Sequence, residues 1–180
     1  MTRYVALLRA INVGGKNLLK MDALRNAFES AGLKNVRTFQ QAGNVVFETA
    51  KTNPEQMASN IEKSLFQTLN FKTNVIVLSL PDLKRIIEND PFPRIAPGDV
   101  MLCVVFLFEK PLGNFNLPIN STTDKLELIA IDKRAAYVVA RRKKTGWFGF
   151  PNNFVEKQLG VTATTRQWST IKKLAAFAEK

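Results

Sequence analysis

The sequence contains no histidine and only one cysteine, and both shortages narrow the range of possible functions. Histidine is the commonest general base and metal ligand, so its absence excludes histidine-dependent catalytic triads and most transition-metal sites. Cys103 lies within the apolar run "VMLCVVFLF" (residues 100–108), which predicts a buried structural thiol rather than a nucleophile. A single cysteine allows no intrachain disulfide, as is typical of proteins from the reducing cytoplasm. We therefore expect a cytoplasmic protein with no metal and no cofactor.

Long apolar runs are also missing. The apolar run before Arg9 is too short for a signal peptide, and no stretch is long enough to span a bilayer. Acidic residues are fewer than basic residues: the chain has 15 Asp and Glu and 26 Lys and Arg, which gives a net charge of +11. Such an excess attracts anionic partners. We expect no membrane association and a phosphate-bearing ligand or nucleic acid as partner.

The periodicity of the first half predicts the order strand, helix, strand, strand, helix, strand. "RYVALLR" reads as a strand, Met21 begins a helix that Gly32 ends, and "NVRTFQQ" and "NVVFET" form a hairpin. Asn53-Pro54-Glu55-Gln56 supplies the start of the second helix, and "NVIVLSL" follows as a strand. This order is the ferredoxin-like βαββαβ unit. We predict an α+β fold with a ferredoxin-like subdomain over residues 1–89.

The second half repeats this element order imperfectly. We expect a helix from Pro81, a strand at 100–108, a Pro- and Asn-rich connection, a hairpin around Lys133, a helix opened by Pro151, and a C-terminal helix. The stretch "VTATT" reads as a further strand. The prediction is thus a degenerate second ferredoxin-like subdomain with a C-terminal helix over residues 90–180.

The stretch "RAINVGGKNLL" (residues 9–19) partly matches a phosphate-binding P-loop, G-x-x-x-x-G-K-[ST]. Ala10 replaces the first glycine and Asn17 replaces the hydroxyl residue that would hold magnesium. The hairpin that follows also conflicts with the largely parallel sheet of P-loop proteins, so we reject a true P-loop. Two readings remain open: a glycine-turn anion site with Arg9, Asn12, Lys16 and Asn17 as donors, or an ordinary turn.

The hairpin "QQAGNVVF" contains Gln41 and Asn44, but ordinary hairpin chemistry explains both residues. We expect this hairpin and the loop after the first strand to lie at opposite ends of the sheet, and therefore not to form one site.

The segment "RRKKTGWFGFPNNF" (residues 141–154) combines positive charge with aromatic side chains. From residue 133 to residue 173, ten Lys or Arg stand against one acid, Glu156, a local excess of nine charges. Basic residues interleaved with aromatics are what single-stranded nucleic acid requires. The site predicted here comprises Arg141, Arg142, Lys143, Lys144, Trp147, Asn152, Asn153 and Arg166. We expect Asn152 and Asn153 to lie at the start of one helix and Thr164–Arg166 at the start of the last helix. The N-terminus of a helix favours binding of an anion. The alternative is a solvated basic loop whose aromatics cap the core.

Evidence for catalysis is weak. The acids Asp99, Glu109, Asp124, Glu127 and Asp132 show no ligand-like spacing, and without histidine no general base stands out. The catalytic residues, and whether the protein is an enzyme, stay undetermined at this level.

Three stretches together resemble a bacterial family catalogued as domain of unknown function 1697: "LLRAINVGGKNLLKM", "RTFQQAGNVVF" and "FPNNFVEKQLGVTATTRQWSTIKKL". The resemblance implies tandem ferredoxin-like subdomains and no established activity. Glycine is usual in this family where the chain has Ala10, and alanine would be strained there if the position requires a positive φ. Serine is usual where the chain has Ala42, which excludes a nucleophilic serine at that position.

Our leading expectation is binding of RNA or single-stranded DNA through residues 141–166. The alternative is a small enzyme that acts on a phosphorylated or acidic metabolite with Arg9 and Lys16 in its site. A third possibility is a scaffold whose basic face meets an acidic protein.

Overall fold

The computed structural model describes residues 1–12, 18–92, 95 and 98–180. Within these ranges, five helices accompany two antiparallel sheets, so the predicted α+β class is confirmed. The chain divides into two compact units: unit 1 comprises Met1–Arg85 and Leu174–Lys180, and unit 2 comprises Ile86–Lys173. Among the described residues, no helix has both the length and the apolar character needed to cross a bilayer.

Unit 1 is built on a four-stranded sheet of order β2-β3-β1-β4, in which all neighbouring strands are antiparallel. Its elements are β1 (Thr2–Leu8), α1 (Met21–Ser30), β2 (Lys34–Phe39), β3 (Asn44–Thr49), α2 (Pro54–Leu69) and β4 (Val75–Ser79), followed by α3 (Leu80–Glu88), which ends in unit 2. Since β1 is antiparallel to both its neighbours, the sheet lacks the parallel arrangement of a P-loop protein.

The core of unit 1 lies between its sheet and helices α1 and α2. Strand β1 is buried from Tyr4 to Leu8, which explains its continuous apolar run, and Phe47 of β3 packs edge-on against Phe28 of α1. The Asn53 side chain accepts a hydrogen bond from the Gln56 N–H (2.9 Å), and Pro54 occupies the first turn, as predicted for the start of α2.

Unit 2 is built on a five-stranded antiparallel sheet of order β6-β7-β8-β5-β9. Its elements are β5 (Val100–Leu107), β6 (Ile119–Ser121), β7 (Leu126–Asp132), β8 (Ala135–Arg141), α4 (Pro151–Leu159), β9 (Ala163–Gln167) and α5 (Trp168–Glu179), whose last turns are counted with unit 1. Helix α4 packs on one sheet face through Phe154, Val155 and Leu159.

Two features of unit 2 differ from the sequence expectation. Strand β6 lies within the Pro- and Asn-rich connection, where no strand was predicted, because three residues carry too little periodicity to reveal an edge strand. Residues Thr164–Arg166 lie in β9, and α5 begins at Trp168, so their predicted place at the start of the last helix is wrong. The Thr-rich run is β-branched and pairs with β5 instead.

Candidate functional site

The loop after β1 keeps a left-handed backbone where the family pattern has glycine. Ala10 has φ +53° and Asn12 has φ +54°. Asparagine tolerates this region, whereas alanine pays a steric cost of about 1–2 kcal/mol there. Ala10 therefore adopts the positive φ at which alanine is strained.

Asn12 closes this loop by bonding to the backbone. Its Oδ1 accepts the Leu19 N–H (2.7 Å), and its Nδ2 donates to the carbonyls of Leu19 (3.2 Å) and Gln41 (3.1 Å). Both polar atoms of the Asn12 amide therefore form hydrogen bonds to the backbone, and the side chain stabilises the loop. Lys16 and Asn17, the other predicted donors of this site, lie outside the described residues.

The loop and the β2–β3 hairpin lie at the same end of the sheet, so the expectation of opposite ends is wrong. The Leu8 N–H donates to the Gly43 carbonyl (2.8 Å), and Asn12 reaches Gln41 as described. The reason is topological: β1 is antiparallel to β3, with Leu7 opposite Asn44, so the end of β1 meets the start of β3. The Asn44 side chain is buried and donates to the Phe39 carbonyl (3.2 Å).

Arg9 lies beside the start of β4. Its N–H donates to the Asn74 carbonyl (3.0 Å), and its carbonyl accepts the Thr73 hydroxyl (2.7 Å). Arg9, Asn12 and Gln41 therefore lie at one end of the unit 1 sheet, joined to it by backbone and side-chain hydrogen bonds.

The basic run at the end of β8 is largely paired with carboxylates from elsewhere in unit 2. Arg141 lies 3.5 Å from Glu127, Arg142 lies 2.5 Å from Asp99, and Lys143 lies 2.8 Å from Asp124. The hydrogen bond from Lys143 is the main cause that lowers the pKa of Asp124. The local excess of nine positive charges counted along the sequence is therefore partly neutralised in space.

Lys144 differs from its three neighbours. It is exposed, and no carboxylate of a described residue lies within ion-pair distance of it. It is thus the member of the run whose charge is most available to a ligand.

The connection between β8 and α4, which we call the aromatic loop (residues 142–150), is held in place by several contacts. The Arg142 guanidinium donates to the Gly146 carbonyl (2.8 Å) and lies 4.8 Å from the centre of the Phe148 ring. The Lys143 N–H donates to the Trp147 carbonyl (2.8 Å). These contacts leave the side chains of Trp147 and Phe150 each 76% exposed.

Gly149 brings the aromatic loop onto the turn between β6 and β7. A Cβ atom at Gly149 would lie 2.5 Å from the Asp124 carbonyl oxygen, closer than any side chain tolerates. Only glycine allows this approach, which places Phe150 beside the turn.

The predicted residues that follow the loop have different environments. Asn152 and Asn153 lie in the first turn of α4, and the Asn152 side chain accepts a hydrogen bond from the Thr165 hydroxyl (3.3 Å). Arg166 is buried and donates to the Thr164 hydroxyl and the Thr165 carbonyl (2.9 Å each). Burial lowers its pKa to about 10. Its side chain is therefore not part of the exposed surface around Trp147.

A polar cleft of about 400 Å³, not predicted from the sequence, lies between α4 and the β6–β7 turn. Phe150, Asn153 and Lys157 line one side and Thr122 and Thr123 the other. The α4 residues recur at spacings of three and four, a pattern that places them on one helix face and that could have revealed this wall. The opposite wall carries no comparable signal, because it depends on long-range packing.

A second cleft, of about 460 Å³, includes Asp99, Arg142, Phe148, Trp168 and Lys172. Its cations lie against aromatic rings, since Lys172 Nζ is 5.8 Å from the centre of the Trp168 ring and Arg142 lies over Phe148. The side chains that line this cleft therefore contact one another where the aromatic loop begins.

Two buried titratable groups of unit 2 have raised pKa values. Burial raises the pKa of Cys103 to about 12, so its thiol stays protonated near neutral pH, in keeping with a structural role. Burial and, secondarily, Asp132 raise the pKa of Tyr137 to about 12. In the part of the chain that the structure describes, no three His, Cys, Asp or Glu side chains are placed to hold a metal ion.

Comparison with known proteins gives a fold relationship and a family. No curated protein matches this chain. The solved structure of the conserved bacterial protein SP0830 from Streptococcus pneumoniae is similar, with a TM-score of 0.68 and 20% sequence identity over 98% of each chain. At that identity the likeness concerns the fold alone. The sequence model of the family described as "Protein of unknown function (DUF1697)" matches residues 1–137, and the chain belongs to this family.

Proposed function

We propose that the protein binds single-stranded nucleic acid through the aromatic loop of unit 2. The observation that carries the proposal is the 76% exposure of both Trp147 and Phe150 on a loop that begins with three residues of the basic run. Large aromatic side chains are usually buried, and an exposed pair beside cations suits stacking of successive bases. Stacking contributes about 1–3 kcal/mol per base in proteins of this type.

The ion pairs of the basic run limit what electrostatics contributes to this binding. Arg141, Arg142 and Lys143 each face a carboxylate, so the run and its partners present a net charge near that of Lys144 alone. We therefore expect contact with about one or two phosphates, and a slope of log affinity against log salt of about −0.7 to −1.4. Four fully available cations would give a slope near −2.8.

We also infer that both units derive from the ferredoxin-like unit. The order β2-β3-β1-β4 in unit 1 and the order β7-β8-β5-β9 in unit 2 correspond position by position. In unit 2 the first helix is replaced by the connection that carries β6. We further propose a cytoplasmic location, which the single buried cysteine supports.

The alternative, an enzyme that acts on a phosphorylated or acidic metabolite through Arg9 and Lys16, stays a prediction. Asn12 is committed to closing the loop, and Lys16 lies outside the described ranges.

The test is fluorescence anisotropy of a labelled single-stranded oligonucleotide of about twelve nucleotides, a length within the range of known sites. The double variant Trp147→Ala/Phe150→Ala should weaken binding at least tenfold, roughly the effect of losing stacking with one or two bases. The matched control is Leu112→Ala, which removes a hydrophobic side chain of unit 2 that is 89% exposed. Equal binding by the double variant and the control would refute the proposal.

A second comparison tests the role of charge. Lys144→Ala should weaken binding and reduce the salt slope, whereas Lys110→Ala, which removes an exposed lysine elsewhere in unit 2, should not. Equal losses in both variants would show that only the overall charge of the protein attracts the strand.

A further inference from the structure

We propose that the cleft between α4 and the β6–β7 turn holds one nucleotide of the bound strand and makes the protein select RNA over DNA of the same sequence. This inference rests on the proposed nucleic-acid function. It goes further by assigning a separate role to the polar residues beside the aromatic loop.

The cleft has the size and position of a single-nucleotide subsite. Its volume is about 400 Å³, within the range of about 300–1,000 Å³ for small-molecule pockets, so it accommodates one nucleotide rather than several. Phe150 forms its rim and is largely exposed, so a base can stack on Phe150 while its sugar enters the cleft. Gly149 fixes this arrangement by its close approach to Asp124.

The walls are rich in neutral hydrogen-bonding groups. Thr122 and Thr123 contribute hydroxyls from the turn, and Asn153 contributes an amide from α4. All three are exposed, and their side chains form no hydrogen bond with another described residue. By contrast, Ser121 and Asp124 bond to each other and close the turn. The three free groups are thus available to a ligand.

A ribose hydroxyl is the ligand group that fits such a lining. The 2′-hydroxyl both donates and accepts hydrogen bonds, and it is the group by which proteins distinguish RNA from DNA. Threonine hydroxyls and the asparagine amide can each serve as donor or acceptor. Deoxyribose has a C–H bond in place of this hydroxyl, so a DNA strand lacks the group that would bond to this part of the lining.

Charge at the cleft is balanced rather than strongly positive. Lys157 lines the cleft and acts electrostatically on Asp124, which also lines it and bonds to Lys143. A site for an isolated phosphate would need an excess of cations. The balance suits a sugar with one adjoining phosphate, which Lys157 can contact from the next turn of α4 after Asn153.

The test compares fluorescein-labelled oligouridylate with oligodeoxyuridylate of the same length, because the two probes differ only in the 2′-hydroxyl. The wild-type protein should bind the RNA at least fivefold more tightly, the effect of about one net hydrogen bond. Asn153→Ala and Thr122→Ala/Thr123→Ala should bring this ratio close to one by weakening RNA binding while DNA binding stays unchanged. Thr145→Ala, a substitution in the aromatic loop outside the cleft, should keep the ratio.

Equal affinity of the wild-type protein for both probes would overturn the inference while leaving the proposed function intact. Equal weakening of both probes by the cleft variants would overturn it as well, because the lining would then act without contacting the 2′-hydroxyl. Absence of binding to either probe would refute the proposed function and, with it, this inference. The melting temperature of each variant should equal that of the wild type, which separates lost contacts from lost folding.

Discussion

Replacing Gly149 by alanine should destabilise unit 2 and displace the aromatic loop together. The added Cβ would lie 2.5 Å from the Asp124 carbonyl oxygen and 3.1 Å from Leu126 Cγ. Neither neighbour can retreat easily, because Leu126 is buried and Asp124 is fixed by hydrogen bonds to Ser121. Such overpacking costs about 1–3 kcal/mol. For a protein of this length, 2 kcal/mol corresponds to a fall of about 4–8 °C in melting temperature.

The assay for this variant combines calorimetry with the anisotropy titration described above. Gly98→Ala is the matched control, since a Cβ at that position meets no atom within 4 Å and its φ is not positive. We expect a lower melting temperature and weaker nucleic-acid binding for Gly149→Ala, and little change for the control. A Gly149→Ala protein with wild-type melting temperature and affinity would show that this close approach does not position the loop.

Two further predictions concern unit 1. Gly43→Ala should cost more stability in urea unfolding than Gly32→Ala, because both glycines have positive φ but only a Cβ at Gly43 meets another atom, Ile11 Cγ1 at 2.9 Å; equal losses would contradict this. Hydrogen bonds from Arg3 chiefly hold the pKa of Glu48 below 4.5, so its stabilising contribution is present above that value and is lost as pH falls through the lower, folded-state pKa. Glu48→Gln should therefore lower the urea midpoint near pH 7, and this difference should shrink as the pH falls; a difference independent of pH would contradict this cause.

Local signals in the sequence were sufficient to predict most elements of the fold. The start of α2 agrees with the prediction from Asn53 and Pro54, because capping acts over a few neighbouring residues. The relation between the loop after β1 and the β2–β3 hairpin was predicted incorrectly. Their relative position depends on the pairing of β1 with β3. This pairing joins residues about forty positions apart, so no local signal reveals it.

The candidate site was predictable in composition but not in geometry. The sequence indicates that Trp147 lies in a basic and aromatic segment. It does not indicate that Glu127, Asp99 and Asp124 would meet the neighbouring cations. Glu127 lies in β7, Asp124 in the turn before β7, and Asp99 in the segment before β5, so all three are distant from the run along the sequence. The cleft was missed for the same reason, since one of its walls belongs to a turn that only folding brings to α4.

These ion pairs change the role that we assign to the cations of the basic run. The Arg142 side chain bonds to Asp99 and to the Gly146 carbonyl and lies over the Phe148 ring. These three contacts stabilise the conformation of the aromatic loop. A cation used in this way contributes more to holding the loop than to attracting a polyanion, because its charge is already opposed by a carboxylate. Truncation of Arg142 would therefore disturb the positions of the aromatic rings, and a loss of binding would not measure charge. Substitution of Lys144 therefore tests the contribution of charge to binding, and substitution of Trp147 and Phe150 tests the contribution of stacking.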